Sequence, residues 1–231
     1  KEFTNQIQPW EHADLPDDQY PDGQICDETI ETIRRAVKQD KPFFIAPGFK
    51  KPHLSFVCPK KYYDLYKTED VQLAFNPQLG PSQATYSVNN DGVYKWWNYK
   101  KQGIDDKNAR QLKHSYMACI SFIDAQVGMI MEELDDLGIA DNTAIMFWSD
   151  HGFHLGEYTN WGKGTNYEWA TRSPLIISTP GMKEAGKKTN ALVEYVDMYP
   201  TLCDIAGIAI PKWLEGTSMR PLFNDSDQKW K

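Results

Sequence analysis

The chain has 231 residues, 41% of them hydrophobic, which is enough to bury one substantial core and short for two full domains. Its formal net charge of −7 and pI near 5.3 exclude a general binder of nucleic acid or anionic membrane, since those partners need a basic face. Any anionic ligand has to be met by a local basic pocket.

Residues 1–24 are polar, proline-bearing and without periodicity, and read as an irregular lead-in. Over 25–39 the apolar residues Ile25, Ile30, Ile33 and Val37 recur at helical spacing, with acids early and bases late as the helix dipole prefers, which predicts a helix. The run 42–49 (PFFIAPGF) has no alternation, the pattern of a strand buried on both faces of a parallel sheet. Residues 67–106 are rich in turn formers and aromatics and read as a surface excursion, after which Asp105 or Asp106 can cap the next element. From Leu112 the series Tyr116, Cys119, Ile120, Ile123, Val127, Ile130, Met131 and Leu134 keeps one face apolar, the strongest helix signal in the chain, and Gly138 ends it. Two more buried strands are expected over 143–149 (TAIMFWS) and 174–179 (PLIIST), and a second amphipathic helix over 196–206. Strands alternating with helices imply an α/β layered sandwich with a mostly parallel central sheet flanked by helices.

The cysteines Cys26, Cys58, Cys119 and Cys203 form no Cys-x-x-Cys pair, so neither a zinc site nor a redox motif is indicated; Cys119 and Cys203 read as buried thiols. No signal peptide opens the chain, no apolar run approaches the roughly 18 residues of a membrane helix, and the Asn224–Ser226 glycosylation pattern is too common to assign a compartment.

Three stretches carry candidate chemistry. Residues 149–157 (SDHGFHLGE) follow a predicted strand, and in open α/β sheets ligands bind beyond strand carboxyl ends, where Asp150 and His151 stand. Residues 49–53 (FKKPH) follow the 42–49 run, and Pro52 fixes the direction in which His53 projects. In 161–166 (WGKGTN) Lys163 lies between two glycines and can reach inward uncrowded. Taken singly, these residues are a turn cap, two ordinary loop histidines and a surface lysine.

In the order KPFFIAPGFKKPH, a long helix carrying Asp124, Val127 and Gly128, SDHGFHLGE, WGK and TRSPLIISTPG, the chain resembles the sulfatase family of the alkaline-phosphatase-like superfamily, in its iduronate-2-sulfatase branch with bacterial relatives. The likeness spans 41–223. It implies an alkaline-phosphatase-like fold incomplete at both ends: 1–24 a lead-in, 25–223 the C-terminal portion of the catalytic domain, 224–231 a tail. It implies a divalent cation, usually calcium, held by Asp150 and His151 with acidic residues of an N-terminal segment. Asp150 suits a hard cation; His151 suits it less, and its imidazole can instead hydrogen-bond the nucleophile or the sulfate. Lys163 matches a lysine that contacts sulfate oxygens, and His53 a histidine that touches the sulfate and can protonate a leaving oxygen; both are thereby substrate-binding and catalytic candidates.

The implied reaction is sulfate-ester hydrolysis by a formylglycine hydrate. Its precursor lies in Cys/Ser-x-Pro-x-Arg, and the cysteine neighbourhoods CDETI, CPKKY, CISFI and CDIAG do not match. A missing N-terminal segment is therefore the expected partner, and the chain alone is expected to be inactive. After Glu157, Tyr158 and Thr159 replace the His-Gly of many relatives, and His154 reads as structural or as a support to the site. The expected substrate is a sulfated carbohydrate or another sulfate ester; Tyr94, Trp96, Trp97 and Tyr99 with Lys95, Lys100 and Lys101 could stack sugar rings, or form a lid packed on itself. The resemblance points to a periplasmic, secreted or lysosomal setting. Two alternatives stay open: a phosphoesterase or phosphonate hydrolase of the same superfamily, for which His12 and His114 are the only spare histidines, or a non-catalytic glycan-binding module.

Overall fold

The computed structural model describes residues 9–80, 93 and 103–231. The chain divides into two compact units, one comprising Lys1–Asp136 and Ser149–Ser173, the other Leu137–Trp148 and Pro174–Lys231.

In the first unit a short strand β1 (Trp10–Glu11) pairs in parallel with β2 (Phe56–Val57), Trp10 opposite Phe56. Helix α1 (Pro21–Val37) begins inside the expected lead-in. Pro21 opens it, because its fixed φ suits the first turn and its absent N–H would have had no partner there. After α2 (Lys60–Tyr63) comes the long helix α3 (Asp106–Asp136), and a short α4 (Glu168–Thr171) lies near the unit's end. The face of α3 carrying Leu112, Ala118, Cys119, Phe122 and Ile123 is buried against α1, α2 and β2. Arg34 of α1 grips Glu133 of α3 in a two-pronged pair, Nε to Oε1 at 2.8 Å and Nη2 to Oε2 at 2.6 Å.

Asp105 is the cap of α3, its Oδ1 accepting the Asn108 N–H at 2.8 Å, and Gly138 takes a positive φ just beyond the helix. Asp105→Ala is expected to cost about 1 kcal/mol, read as a lower urea midpoint with an unchanged m value.

The α/β class stands, with a difference in the sheet. Residues 42–49 form no strand, and Phe44 is 78% exposed. An apolar run becomes a buried strand only where strands flank it and layers cover both faces, and among the described residues none pairs with this one. The parallel ladder is made instead by β1, too short to show a period. The aromatic cluster at 94–100 lies outside the described residues.

In the second unit β3 (Ile145–Trp148) and β4 (Leu175–Ser178) fall where expected, but pair antiparallel, Ile145 opposite Ser178. They are not buried on both faces: Phe147, Trp148 and Ile176 are exposed. A turn of 3-10 helix, Tyr195–Asp197, leads into α5 (Met198–Ile205), the second predicted helix.

The fully buried Asp197 knots this unit. Its Oδ1 accepts the Thr217 N–H at 2.8 Å, and its Oδ2 accepts the Glu194 N–H and the Lys231 ammonium, each at 2.8 Å. Burial alone would raise its pKa, but the Lys231 ammonium and the two backbone donors outweigh it and hold the carboxyl below its ordinary value. A carboxyl depressed by folding adds stability above its unfolded pKa of about 3.9, and that contribution disappears as pH falls through the lower folded value. Asp197→Asn is expected to flatten the dependence of this unit's urea midpoint on pH below about 4. No helix among the described residues is long and apolar enough to cross a membrane.

Candidate active site

The loop from Ser149 to Tyr167 positions three of the four candidates, all within the first unit. It folds back as a hairpin: the His154 N–H donates to Gly162 O at 2.8 Å and the Gly156 N–H to Asn160 O at 2.9 Å. Gly156 turns the chain at φ +108, and a Cβ on Gly152 would stand 2.3 Å from Trp169 O, so only glycine lets the Gly152 N–H reach Ala170 O at 2.8 Å. At the hairpin tip Tyr158 and Thr159 both take left-handed backbone. Such residues cost of order 1–3 kcal/mol each, offset here by their N–H bonds to Asn76 O and Pro77 O.

This hairpin brings Lys163 back over His151, its Nζ donating to His151 Nε2 at 2.7 Å. The other ring nitrogen, Nδ1, is 2.7 Å from Gly152 O. A carbonyl only accepts, so Nδ1 carries the hydrogen and Nε2 offers its lone pair. Asp150 Oδ2 lies 3.1 Å from the same Nε2, and its side chain is 73% exposed. Asp150 and Lys163 thus both meet the His151 Nε2 edge, and no described ion pair joins the two directly.

His53 projects from the neighbouring loop and is exposed; its Nδ1 is likewise spent on a carbonyl, Leu54 O at 2.6 Å, leaving Nε2 as the reactive nitrogen. The structure thus brings Asp150, His151 and Lys163 into contact, while no described contact joins His53 to them. Their loops share one anchor. Phe56, three residues past His53, meets Phe153, two past His151, edge to face at 6.3 Å, and both rings pack on Tyr116 of α3. The groove of about 470 Å³ lined by Trp10, His12 and Tyr63 contains none of the four candidates.

Supporting residues went unread in the sequence. The Lys51 ammonium donates to His53 O at 3.1 Å and Ser55 O at 2.6 Å, clasping the loop that carries His53, and burial lowers its pKa. The buried Asp22 Oδ1 accepts the Lys50 N–H from α1. Only the place of Lys51 two residues before His53 hinted at this. His154 is buried, with Nε2 2.8 Å from Thr165 Oγ1.

The implied calcium fits these residues in part. Asp150 is an exposed oxygen donor of the right kind, but the His151 lone pair is already taken by Lys163. No group of three or more His, Cys, Asp or Glu among the described residues is placed to hold a metal ion.

The loop 149–167 thus presents a carboxylate, an imidazole and an ammonium in one chain of contacts. The Sulfatase family model matches residues 2–208, and the chain belongs to the sulfatase family. It is 32% identical over 248 residues to the iduronate 2-sulfatase of Mus musculus, covering 91% of this chain and 44% of that protein. With the arylsulfatase of Clostridium perfringens the identity is 34% over 215 residues, covering 92% and 44%. The chain therefore spans less than half the length of these relatives. Among solved structures, the phosphonate monoester hydrolase of Silicibacter pomeroyi matches with a TM-score of 0.80 at 25% identity, over 94% of this chain and 44% of that one. A structure solved with its substrate D-glucosamine-2-N,6-O-disulfate matches with a TM-score of 0.78 at 23% identity, over 92% and 54%, a likeness of fold.

Proposed function

We propose that this chain forms the sulfate-facing part of a sulfuric ester hydrolase acting on a sulfated carbohydrate or a related sulfate ester. The observation that carries the reading is the Asp150–His151–Lys163 contact, built on the SDHG and WGK segments of a sulfatase-family chain. The Lys163 ammonium meets the sulfate oxygens and offsets the negative charge that grows as the S–O bond breaks. His151, its tautomer fixed by Gly152 O, holds Lys163 in that position. His53 Nε2 takes up a proton and passes it to the leaving alcohol oxygen. Calcium, when bound with Asp150 as one of its roughly six to eight oxygen ligands, would neutralise sulfate charge. The attacking group of this mechanism, a formylglycine from Cys/Ser-x-Pro-x-Arg, is absent from these 231 residues and would come from the rest of the protein.

A second reading, phosphonate monoester hydrolysis, is favoured by the structural likeness at 25% identity. A fluorogenic aryl sulfate and an aryl phosphonate monoester, assayed with the purified chain, with and without calcium, and with a polypeptide carrying the formylglycine segment added, separate the two. Sulfate turnover that requires the added polypeptide supports the proposal. Preference for the phosphonate overturns the substrate class, and turnover by the chain alone overturns the supply of the nucleophile from outside it.

A further inference from the structure

Lys163 stands between Gly162 and Gly164, and a lysine so flanked has little of its own to hold it still. Glycine leaves the backbone its widest choice of conformation, and the lysine stem carries about 2 kcal/mol of rotamer entropy. Yet its Nζ is set 2.7 Å from His151 Nε2. The hold comes from the facing arm of the hairpin, where the fully buried His154 grips both flanks of the lysine. Its backbone N–H donates to Gly162 O at 2.8 Å, on the residue before Lys163, and its ring Nε2 lies 2.8 Å from Thr165 Oγ1, two residues after it. Thr165 carries the hold back to the lysine: its N–H donates to Lys163 O at 2.8 Å and closes a three-residue turn around Gly164. The same Oγ1 accepts the Tyr167 N–H at 3.4 Å. The Tyr167 ring meets His154 edge on at 5.8 Å, and Tyr158 stacks on Tyr167 at 4.8 Å, which walls the imidazole in. Burial pushes His154 below its ordinary pKa, against a weaker opposing pull from Glu157, so the ring is neutral near pH 7. A neutral imidazole has one donor and one acceptor nitrogen, and a hydroxyl can answer either, so the Thr165 bond is made in both tautomers.

We infer that Thr165 and His154 are positioning residues for Lys163: the buried imidazole and the threonine hydroxyl clamp the glycine-flanked loop, so that the ammonium stands on His151 Nε2 before substrate arrives. The clamp itself follows from these bonds, and its catalytic consequence rests on the sulfate-facing role proposed for Lys163. Both residues act through that lysine and the turn that carries it. An ammonium held where charge grows serves the transition state at no further cost, whereas a loosened one has to be ordered anew in each turnover. The loss on releasing the clamp therefore falls on kcat. It belongs to the Thr165 hydroxyl and not to its methyl group.

The test compares Thr165→Val, which keeps the shape and removes the hydroxyl, with Thr165→Ser, which keeps the hydroxyl. In the purified chain, ring nitrogen-15 NMR of the five histidines reads the clamp directly. Thr165→Val is expected to move the His151 Nε2 signal toward its position in Lys163→Ala, and Thr165→Ser to leave it in place. Unmoved His12 and His114 signals certify the fold, and His154→Leu, expected to move the same His151 signal, gives a second route to the result. In the intact enzyme Thr165→Val is expected to lower kcat for a sulfate ester about five-fold or more while KM changes less than about two-fold. Thr165→Ser should keep most of the rate, and Thr165→Val should cost nothing further in a Lys163→Ala background. A His151 signal that stays put in folded Thr165→Val overturns the clamp, as does a Thr165→Val loss that adds in full to that of Lys163→Ala, or one that Thr165→Ser shares. Unchanged kinetics in Lys163→Ala would instead remove the sulfate-facing role, and the His151 signal would still decide the clamp.

Discussion

Replacing Lys163 by alanine in the intact enzyme is expected to lower kcat/KM for a sulfate ester by about two orders of magnitude or more, a loss of about 3–4 kcal/mol in transition-state stabilisation. Two features of the geometry concentrate that effect on one residue. Lys163 is held by a hydrogen bond to His151 Nε2 at 2.7 Å, so its ammonium is placed before substrate arrives and needs no reorganisation at the moment of reaction. In the proposed role its charge acts where negative charge grows, so kcat should fall with kcat/KM while KM changes less. His151→Gln keeps a hydrogen-bond acceptor but not the fixed ring, and should lose part of the same effect. Unchanged kinetics in Lys163→Ala would return the lysine to ordinary surface.

The longer helices were legible because they repeat a signal over many residues, whereas the four-residue α2 and α4 were not. Helix α3 announced itself by an apolar face running through Leu112, Cys119 and Ile123, and by Asp105 before it. β3 and β4 were legible as strands, but not as an antiparallel pair, because an apolar run such as LIIS carries no record of its partner's direction. The 42–49 run misled for a related reason: it records a preference for burial, and whether neighbouring strands are there to satisfy it is not encoded locally. The site divided along the same line. Asp150, His151 and Lys163 stood in short motifs and could be picked out, whereas the bond from the Lys50 N–H to Asp22 joins segments distant in sequence, which no local spacing reports.

Phe56→Ala is expected to be the most damaging single change to the scaffold, costing about 3–5 kcal/mol. Phe56 is fully buried, and its ring stands edge to face with Tyr116 at 5.6 Å and with Phe153 at 6.3 Å. Removing it empties a site walled by β2, α3 and the loop behind His151, and a close-packed interior collapses only partly into such a void. The same ring is the shared anchor of both candidate loops, so the cavity should loosen His53 and His151 together. A urea series reads the first effect as a lower midpoint, and amide chemical shifts of residues 50–55 and 150–154 read the second. Phe56→Leu, which refills most of the volume, should recover much of the stability but not the edge-to-face contacts, worth about 0.5–1.5 kcal/mol beyond area. If Phe56→Ala costs under about 1 kcal/mol, or shifts one loop and leaves the other, the two loops are not held by a common ring, and His53 then has no demonstrated tie to the Asp150–His151–Lys163 cluster.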